Sequence, residues 1–416
     1  MATCEKYGTR CVNQILLITI SCEDQAGVTA GLTALLSEHA ASILDIGQAV
    51  IHATLSLGLM VELPEHCVSE QVEEAVRGFA LQRDMRVVTS VVSPESYNQW
   101  VAAQGRARYI ITLLARKITA DQLARVTAVV SQHGLNIDGI NRLSGRIPLG
   151  ELPALSKACV EFSARGTLRD PAFFRRDLLE VAGALEVDLA FQQDNMYRRN
   201  RRLVAFDMDS TLIEAEVIDE LAKLAGVGEQ VSAITERAMR GEIDFSESFR
   251  ARVALLEGLE ESALERVAGQ LKITEGAEHL ISTLRALGYK TAILSGGFTY
   301  FADHLQARLG IDYVYANELD VAAGAVTGKI VGTIVDGARK AELLRQLAEE
   351  EGIDLQQVIA VGDGANDLPM LSIAGLGIAF RAKPLVQKSA EQSISTLGLD
   401  AILYLLGISD RYQHNI

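Results

Sequence analysis

The sequence predicts an α/β chain: two small βαββαβ (ferredoxin-like) modules, then a doubly wound, Rossmann-like parallel sheet carrying a small helical cap. Three observations predict it. The first is an internal repeat. Thr33-Ala34-Leu35-Leu36-Ser37-Glu38-His39 recurs as Thr127-Ala128-Val129-Val130-Ser131-Gln132-His133, an offset of 94 positions. The second is a change of texture at Leu203, after which short apolar runs alternate with helical patterns, as parallel sheets require. The third is composition. Of 416 residues 49% are hydrophobic and 22% charged, enough apolar material to fill the cores of two or three domains.

The repeat orders the front half. The same offset carries Ile43 onto Ile137 and Ile46 onto Ile140. Each copy opens with a β-branched or apolar run (15–20; 109–114), continues through an amphipathic helix and enters a second strand. A further apolar strand follows (54–63; 158–163), then a helix and a last strand (86–92; 185–191). That order is βαββαβ. The copies occupy 13–95 and 107–192. Behind them, residues 195–202 hold four arginines in five positions with one aromatic and no glycine cradle, which predicts a solvated linker. The back half, 203–405, takes strands at 203–206, 289–294, 313–316 and 357–361. Residues 228–270 are helical and strand-free, and read as a cap inserted over the sheet edge.

Charge narrows the function classes. With 39 basic against 54 acidic residues the net charge is −15, so a nucleic-acid partner would be repelled unless a local basic patch overcame it. No apolar run approaches the ~18 residues of a membrane span. The opening MATCEKYGTR lacks a basic-then-apolar leader pattern, and a cytoplasmic protein without membrane partners is expected. Cys4, Cys11, Cys22, Cys67 and Cys159 are odd in number and lack C-x-x-C spacing, which predicts reduced structural thiols.

Open parallel sheets place reactive groups just past the carboxyl ends of their strands. Four such places here carry polar residues. In Phe206-Asp207-Met208-Asp209-Ser210-Thr211 the two aspartates sit two apart, and in extended backbone both carboxylates project to one side. Such a pair fits either a cation between the acids or a capped strand-end turn. In Leu294-Ser295-Gly296-Gly297 a hydroxyl and bare amide N–H groups face outward, suiting an anion or a plain turn. A serine-hydrolase elbow would need glycine at 293, where isoleucine stands. Gly337-Ala338-Arg339-Lys340 puts a lysine at a helix start, either solvent-facing or adding to the anion-attracting dipole. Gly362-Asp363-Gly364-Ala365-Asn366-Asp367 follows an apolar strand. It has aspartate where a dinucleotide fingerprint needs its third glycine, and its oxygen-bearing side chains suit an ion such as Mg²⁺.

Together and in this order, the four motifs resemble those of the haloacid dehalogenase superfamily, and Asp-Met-Asp-Ser-Thr resembles its phosphoserine phosphatase branch. The resemblance covers about 203–405. It implies a Mg²⁺-dependent enzyme hydrolysing O-phospho-L-serine through a phosphorylated aspartate. On that resemblance Asp207 is the nucleophile and Asp209 the general acid and base. Asp207, the backbone carbonyl of Asp209, and Asp363 hold the metal, with Asp367 behind them. Ser295, Gly296, Lys340 and Asn366 hold phosphate oxygens. Glu216 and Arg252 match the groups that receive the substrate's ammonium and carboxylate, and Met239 and Phe245 match the apolar lining of the cap. A phosphatase or phosphotransferase for another small phosphorylated alcohol, and an amino-acid-sensing binding protein, remain the alternatives.

In the first module Asp24-Gln25-Ala26-Gly27-Val28-Thr29 resembles the ligand loop of ACT domains, with alanine where that family often has proline. This implies effector contacts at Asp24 and Gly27, with L-serine as the effector. The second copy has Ala115-Arg116-Lys117-Ile118-Thr119 there and lacks Asp-x-x-Gly, so a structural or dimerising role is expected of it. The resemblance implies a homodimer.

Overall fold

A computed structural model describes residues 14–148, 150 and 156–413. Cys4, Cys11, the expected module start at 13, and the Met239 side chain lie outside what it describes. The chain divides into two compact units, Met1–Arg106 and Ala107–Ile416.

The first unit contains β1 (Gln14–Glu23), the helix Val28–Glu38, β2 (Ser42–Ile51), β3 (Thr54–Leu63), the helix Ser69–Leu81 and β4 (Arg86–Val92). The strands form one antiparallel sheet in the order β2-β3-β1-β4. Alternation in β1 sends Leu16, Ile18 and Ile20 inward against Leu32 and Leu36 of one helix and Val72 and Val76 of the other. Each such side chain contributes about 1.5–3 kcal/mol on burial.

In the second unit the repeat returns as β5 (Arg108–Ala115), the helix Ala120–Gln132, β6 (Asn136–Arg142), β7 (Ala158–Arg165), the helix Pro171–Leu185 and β8 (Asp188–Gln193). Its sheet order, β6-β7-β5-β8, repeats that of the first unit. One boundary differs from expectation. The strand expected over 185–191 begins only at Asp188, because the helical stripe of Phe174, Leu178 and Ala182 carries on to Leu185. Glu186, at φ 52°, then turns the chain. A short apolar run at a helix–strand junction suits both periods, and packing decides between them.

The same unit holds β9 (Leu203–Phe206), β10 (Lys290–Phe298), β11 (Tyr313–Ala322), β12 (Ala325–Val331), β13 (Val358–Gly362), β14 (Leu376–Phe380) and β15 (Gln392–Ile394). They are ordered β12-β11-β10-β9-β13-β14-β15, parallel except for the β11–β12 pair. The chain winds from β9 outward through β10 and β11, then starts again on the other side with β13. The carboxyl end of β9 is therefore the switch point, where a crevice opens between flanking connections. Helices Gly228–Met239, Phe245–Ala254 and Ser262–Gln270 fill the 228–270 stretch.

The arginine run is not a solvated linker. Arg198 and Arg201 are buried, Arg198 pairing with Glu161 and Asp194 and Arg201 donating to the Gln356 carbonyl. Burial of these cations is tolerable because each finds acceptors. The β8 strand meets the end of the parallel sheet. Asp188 accepts from the Ser395 and Thr396 amides at 2.8 Å each and from the Thr396 hydroxyl. Gln392 exchanges two bonds with the Phe191 backbone. Among the described residues no helix is long and apolar enough to cross a membrane, and Cys22, Cys67 and Cys159 are free thiols.

Candidate active site

The site grows from the end of β9. The Asp207 amide still donates to the Val361 carbonyl at 2.8 Å, so the β-ladder carries this residue to the rim before the chain coils through Met208–Leu212. The coil holds a strained residue. Ser210 sits at φ 56° and its hydroxyl donates to Glu216 Oε1 at 2.7 Å. A left-handed serine is uncommon and persists where its surroundings over-determine it. Asp209 accepts the Val217 amide at 3.2 Å.

Lys340 is fully buried and places its Nζ 2.7 Å from Asp207 and 2.7 Å from Asp367. Helical spacing explains this. Lys340 shares a stripe with Leu343, Leu344 and Leu347, and Asp336 caps the helix Gly337–Glu350 by accepting from the Arg339 amide. Of the two positions its sequence left open, the lysine takes the buried one. Asp367 is locked as well, since its second oxygen accepts the Gly364 amide at 2.9 Å. Gly362 is required beneath it, because a Cβ there would lie 2.4 Å from the Asp367 carboxyl.

Carboxylate oxygens of Asp207, Asp363 and Asp367 lie within 4.8 Å of one another. Burial pushes the Asp207 carboxyl up to about 7, with the Asp367 charge adding to the rise and Lys340 opposing it. Burial, then the charges of Asp207 and Asp367, push Asp363 up to about 8. Asp209 is held well above its ordinary value by burial and by the Glu216 and Asp207 charges. Burial works against the Lys340 ammonium, but Asp207 and Asp367 outweigh it and raise its pKa. One buried cation among four acids leaves an excess of negative charge that another cation would relieve. The donors are all hard oxygens, so the group fits a metal of the Mg²⁺ kind.

The anion side faces these acids. Ser295 is buried and its Oγ accepts the Gly297 amide at 2.9 Å. A Cβ on Gly297 would lie 2.6 Å from Asp209 Oδ2 and 3.1 Å from Ser295 Oγ, so hydroxyl and carboxylate approach one another over a glycine that has to stay bare. A Cβ on Gly296 would meet the tip of Phe245 at 2.9 Å, so the cap helix Phe245–Ala254 closes over this irregular end of β10, which runs on past the expected 289–294. Phe245 stacks on Phe249 at 5.9 Å. Asn366 curls over Gly364, and its carbonyl lies against Gly337.

At the cap, burial lowers the Arg252 pKa while the charges of Asp219, Glu216 and Asp209 oppose it. Its Nε is buried with no hydrogen-bond partner among the described residues. Glu216 has an exposed edge, yet desolvation in the cleft raises its carboxyl. Met239 ends its helix, and nothing is described of its side chain. The structure thus brings Asp207, Asp209, Ser295, Gly296, Lys340, Asp363 and Asp367 to one rim, with Glu216, Phe245 and Arg252 above it.

Sequence reasoning missed Asn317. This side chain is 1% exposed and bridges the end of β10 and the loop before the helix Gly337–Glu350. Its amide nitrogen donates to the Gly296 carbonyl and its oxygen accepts the Val335 amide, both at 2.8 Å. A signal existed, because Asn317 is the first polar residue beyond the apolar run 313–316.

In the first unit, Asp24, Gln25, Gly27, Thr29 and Gln48 line an open pocket of about 560 Å³. Gly27, at φ 91°, precedes the helix Val28–Glu38 and supplies no side-chain cap.

A parallel sheet with acids at its switch point, a buried lysine and a helical cap defines a hydrolase of the haloacid dehalogenase-like class. The family model of that description matches residues 201–375, and an ACT domain model matches residues 14–90. A phosphoserine phosphatase of Streptomyces coelicolor is 40% identical over 95% of this chain and 92% of its own. Another, from Mycobacterium tuberculosis, is 39% identical over 95% and 93%. The chain belongs to the phosphoserine phosphatase family. Among solved structures, a probable phosphoserine phosphatase of Vibrio cholerae superposes with a TM-score of 0.58 at 35% identity, covering 76% of this chain and 90% of that one. A haloacid dehalogenase family hydrolase of Salmonella enterica superposes at 0.62 with 31% identity, over 71% and 98%.

Proposed function

We propose that this chain is a Mg²⁺-dependent phosphatase that hydrolyses O-phospho-L-serine to L-serine and phosphate. The observation that carries the reading is the buried Lys340 bridge to Asp207 and Asp367, beside the cluster that Asp363 completes. A phosphate monoester brings about two negative charges. A carboxylate nucleophile meets such a dianion only where cations offset the repulsion. Asp207 and Asp363, with the Asp209 backbone carbonyl, would hold Mg²⁺, which when bound supplies charge neutralisation and fixes the phosphoryl oxygens.

The side chains then divide the work. Asp207 attacks phosphorus, and the serine oxygen leaves as Asp209, raised by its burial, gives it a proton. Asp209 afterwards takes a proton from the water that cleaves the phosphorylated Asp207. Lys340, the Ser295 hydroxyl, the Gly296 amide and Asn366 receive phosphoryl oxygens, and Asp367 keeps Lys340 in place. Glu216 takes the substrate ammonium and Arg252 its carboxylate, the Arg252 Nε being a donor in want of an acceptor. Phe245, with Met239, closes the apolar side.

Along the chain we place modules at 13–95 and 107–192 and a phosphatase domain at 203–405 with its cap at 228–270. The first module would bind L-serine through Asp24 and the backbone at Gly27. Two copies would pair through it, a reading supported by Ile43, Ile46, Val50 and Ile51 lying exposed on the edge strand β2. The free thiols suit a cytoplasmic setting.

The test is phosphate release from L-phosphoserine and from a panel of other small phosphomonoesters. Phosphoserine leads by kcat/KM, EDTA stops turnover and Mg²⁺ restores it. Asp207→Asn lowers kcat by about 10³-fold or more, since a neutral amide is a far weaker nucleophile. Full activity in Asp207→Asn, or in EDTA, removes the reading.

A further inference from the structure

We propose that Asn317 is a positioning residue for phosphoryl transfer, aiming the Ser295 hydroxyl through one pinned peptide plane. This rests on the function proposed above. The peptide joining Gly296 to Gly297 is held at both of its polar ends. Its carbonyl accepts from Asn317 Nδ2 at 2.8 Å, and its N–H donates to Ser295 Oγ at 2.9 Å. In a trans peptide those two groups point in opposite directions, so fixing the carbonyl fixes the N–H.

The consequence falls on Ser295. Its oxygen has one lone pair occupied by the Gly297 N–H, and so its own proton is turned away from that amide. The Asp209 carboxylate lies close by, since a Cβ added to Gly297 would meet Asp209 Oδ2 at 2.6 Å and Ser295 Oγ at 3.1 Å. A phosphoryl oxygen arriving there meets a donor already oriented, with no reorganisation left to make.

Asn317 also reaches the loop before the helix Gly337–Glu350. Its Oδ1 accepts the Val335 amide at 2.8 Å, just before Asp336, which caps the helix carrying Lys340. One planar amide with a donor on one side and an acceptor on the other spans a carbonyl and an N–H. Its orientation is thereby unique, since a flip would face like against like. Aspartate lacks the donor, and an aliphatic residue lacks both groups. Side-chain amide, glycine peptide and serine hydroxyl form one relay ending at the reacting phosphate.

The experiment is a double-mutant cycle in kcat on the full chain with Mg²⁺, using L-phosphoserine and p-nitrophenyl phosphate. In the native background Asn317→Ala lowers kcat by about 10- to 100-fold with KM changed less than about threefold, the pattern of an interaction made in the transition state. In a Ser295→Ala background the same substitution costs less than about threefold, because the hydroxyl it aims is gone. Asn317→Asp is nearly isosteric and keeps the acceptor for Val335, and when ionised it lacks the donor for Gly296. At a pH that ionises it, it shows the same loss and the same dependence on Ser295, with folding checked by circular dichroism.

A full Asn317 effect persisting in Ser295→Ala overturns the proposal, as does native kcat in Asn317→Ala. If p-nitrophenyl phosphate is hydrolysed and phosphoserine is not, the proposed substrate falls while the cycle on the aryl ester still decides the relay.

Discussion

The two βαββαβ modules share strand order and a 94-residue offset, yet their corresponding loops do opposite things. In the first, Gly27 opens the helix Val28–Glu38 in a left-handed conformation with no side-chain cap, and the amides of the first turn face an open pocket. In the second, the helix Ala120–Gln132 closes on itself. Thr119 accepts the Gln122 amide and Gln122 accepts the Thr119 amide, a reciprocal capping box that leaves little for a ligand. The arginine of that loop is committed elsewhere. Arg116 forms two 2.9 Å bonds to Glu275, which Arg381 also contacts at 2.9 Å. Glu275 lies next to Thr274, whose amide donates to the Leu212 carbonyl in the coil that follows Asp207. A loop that lines an open pocket in one copy is tied to the catalytic domain in the other. Duplication preserves a fold through its core; the loops are free to diverge because few core contacts depend on them.

Substitutions at the seam, the pocket and the clamp test this contrast. The largest effect is expected at the seam between β8 and β15. Asp188→Ala removes the acceptor of two partly buried amides and of the Thr396 hydroxyl and should cost about 1–3 kcal/mol, read as a fall in the urea midpoint of the full chain. An unchanged midpoint would mean that the second module does not stabilise the catalytic sheet.

Next comes the first-module pocket. Asp24→Ala should weaken L-serine binding about tenfold, or about 1.4 kcal/mol, by calorimetry on the full chain, whereas Thr119→Ala leaves the serine heat as it was. The reverse pattern would move the effector to the second module.

The smallest effect is at the clamp, where Arg116→Ala should cost about 0.5–1 kcal/mol because both partners are partly exposed. Its pH dependence has a definite sign. The Arg116 hydrogen bond, outweighing partial burial, holds the Glu275 pKa below its unfolded value. This contribution is full above about pH 4.5 and vanishes as pH falls through the lowered folded value. Asp188 runs the other way. Burial raises its pKa despite the Thr396 and Ser395 bonds, so its ionisation erodes stability as pH rises from about 4 through the raised value. Melting temperatures of Glu275→Gln and Asp188→Asn against pH should therefore depart from the native curve with opposite slopes.

Much of the molecule was legible from the chain alone. The repeat was visible because matched core positions keep their spacing, and the acids at 207, 209, 363 and 367 because open sheets put chemistry past strand ends. Lys340 was half-legible. Its spacing to Leu343, Leu344 and Leu347 marked a buried face that a lone lysine at a helix start does not advertise. The buried arginines 198 and 201 were misread, since a run of like charge looks solvated until its acceptors are known.

The chain's own pattern specifies most of the strands and the polar groups those strands deliver to the rim. Periodicity and local turn chemistry act within a few residues and can be read along the chain. Folding alone joins Asn317 to Gly296 and Val335, bridges Lys340 to Asp207 and Asp367, and brings Arg116 to Glu275 across 159 positions. These links satisfy polar groups desolvated by packing, and no group has a partner to choose until packing has removed the water around it.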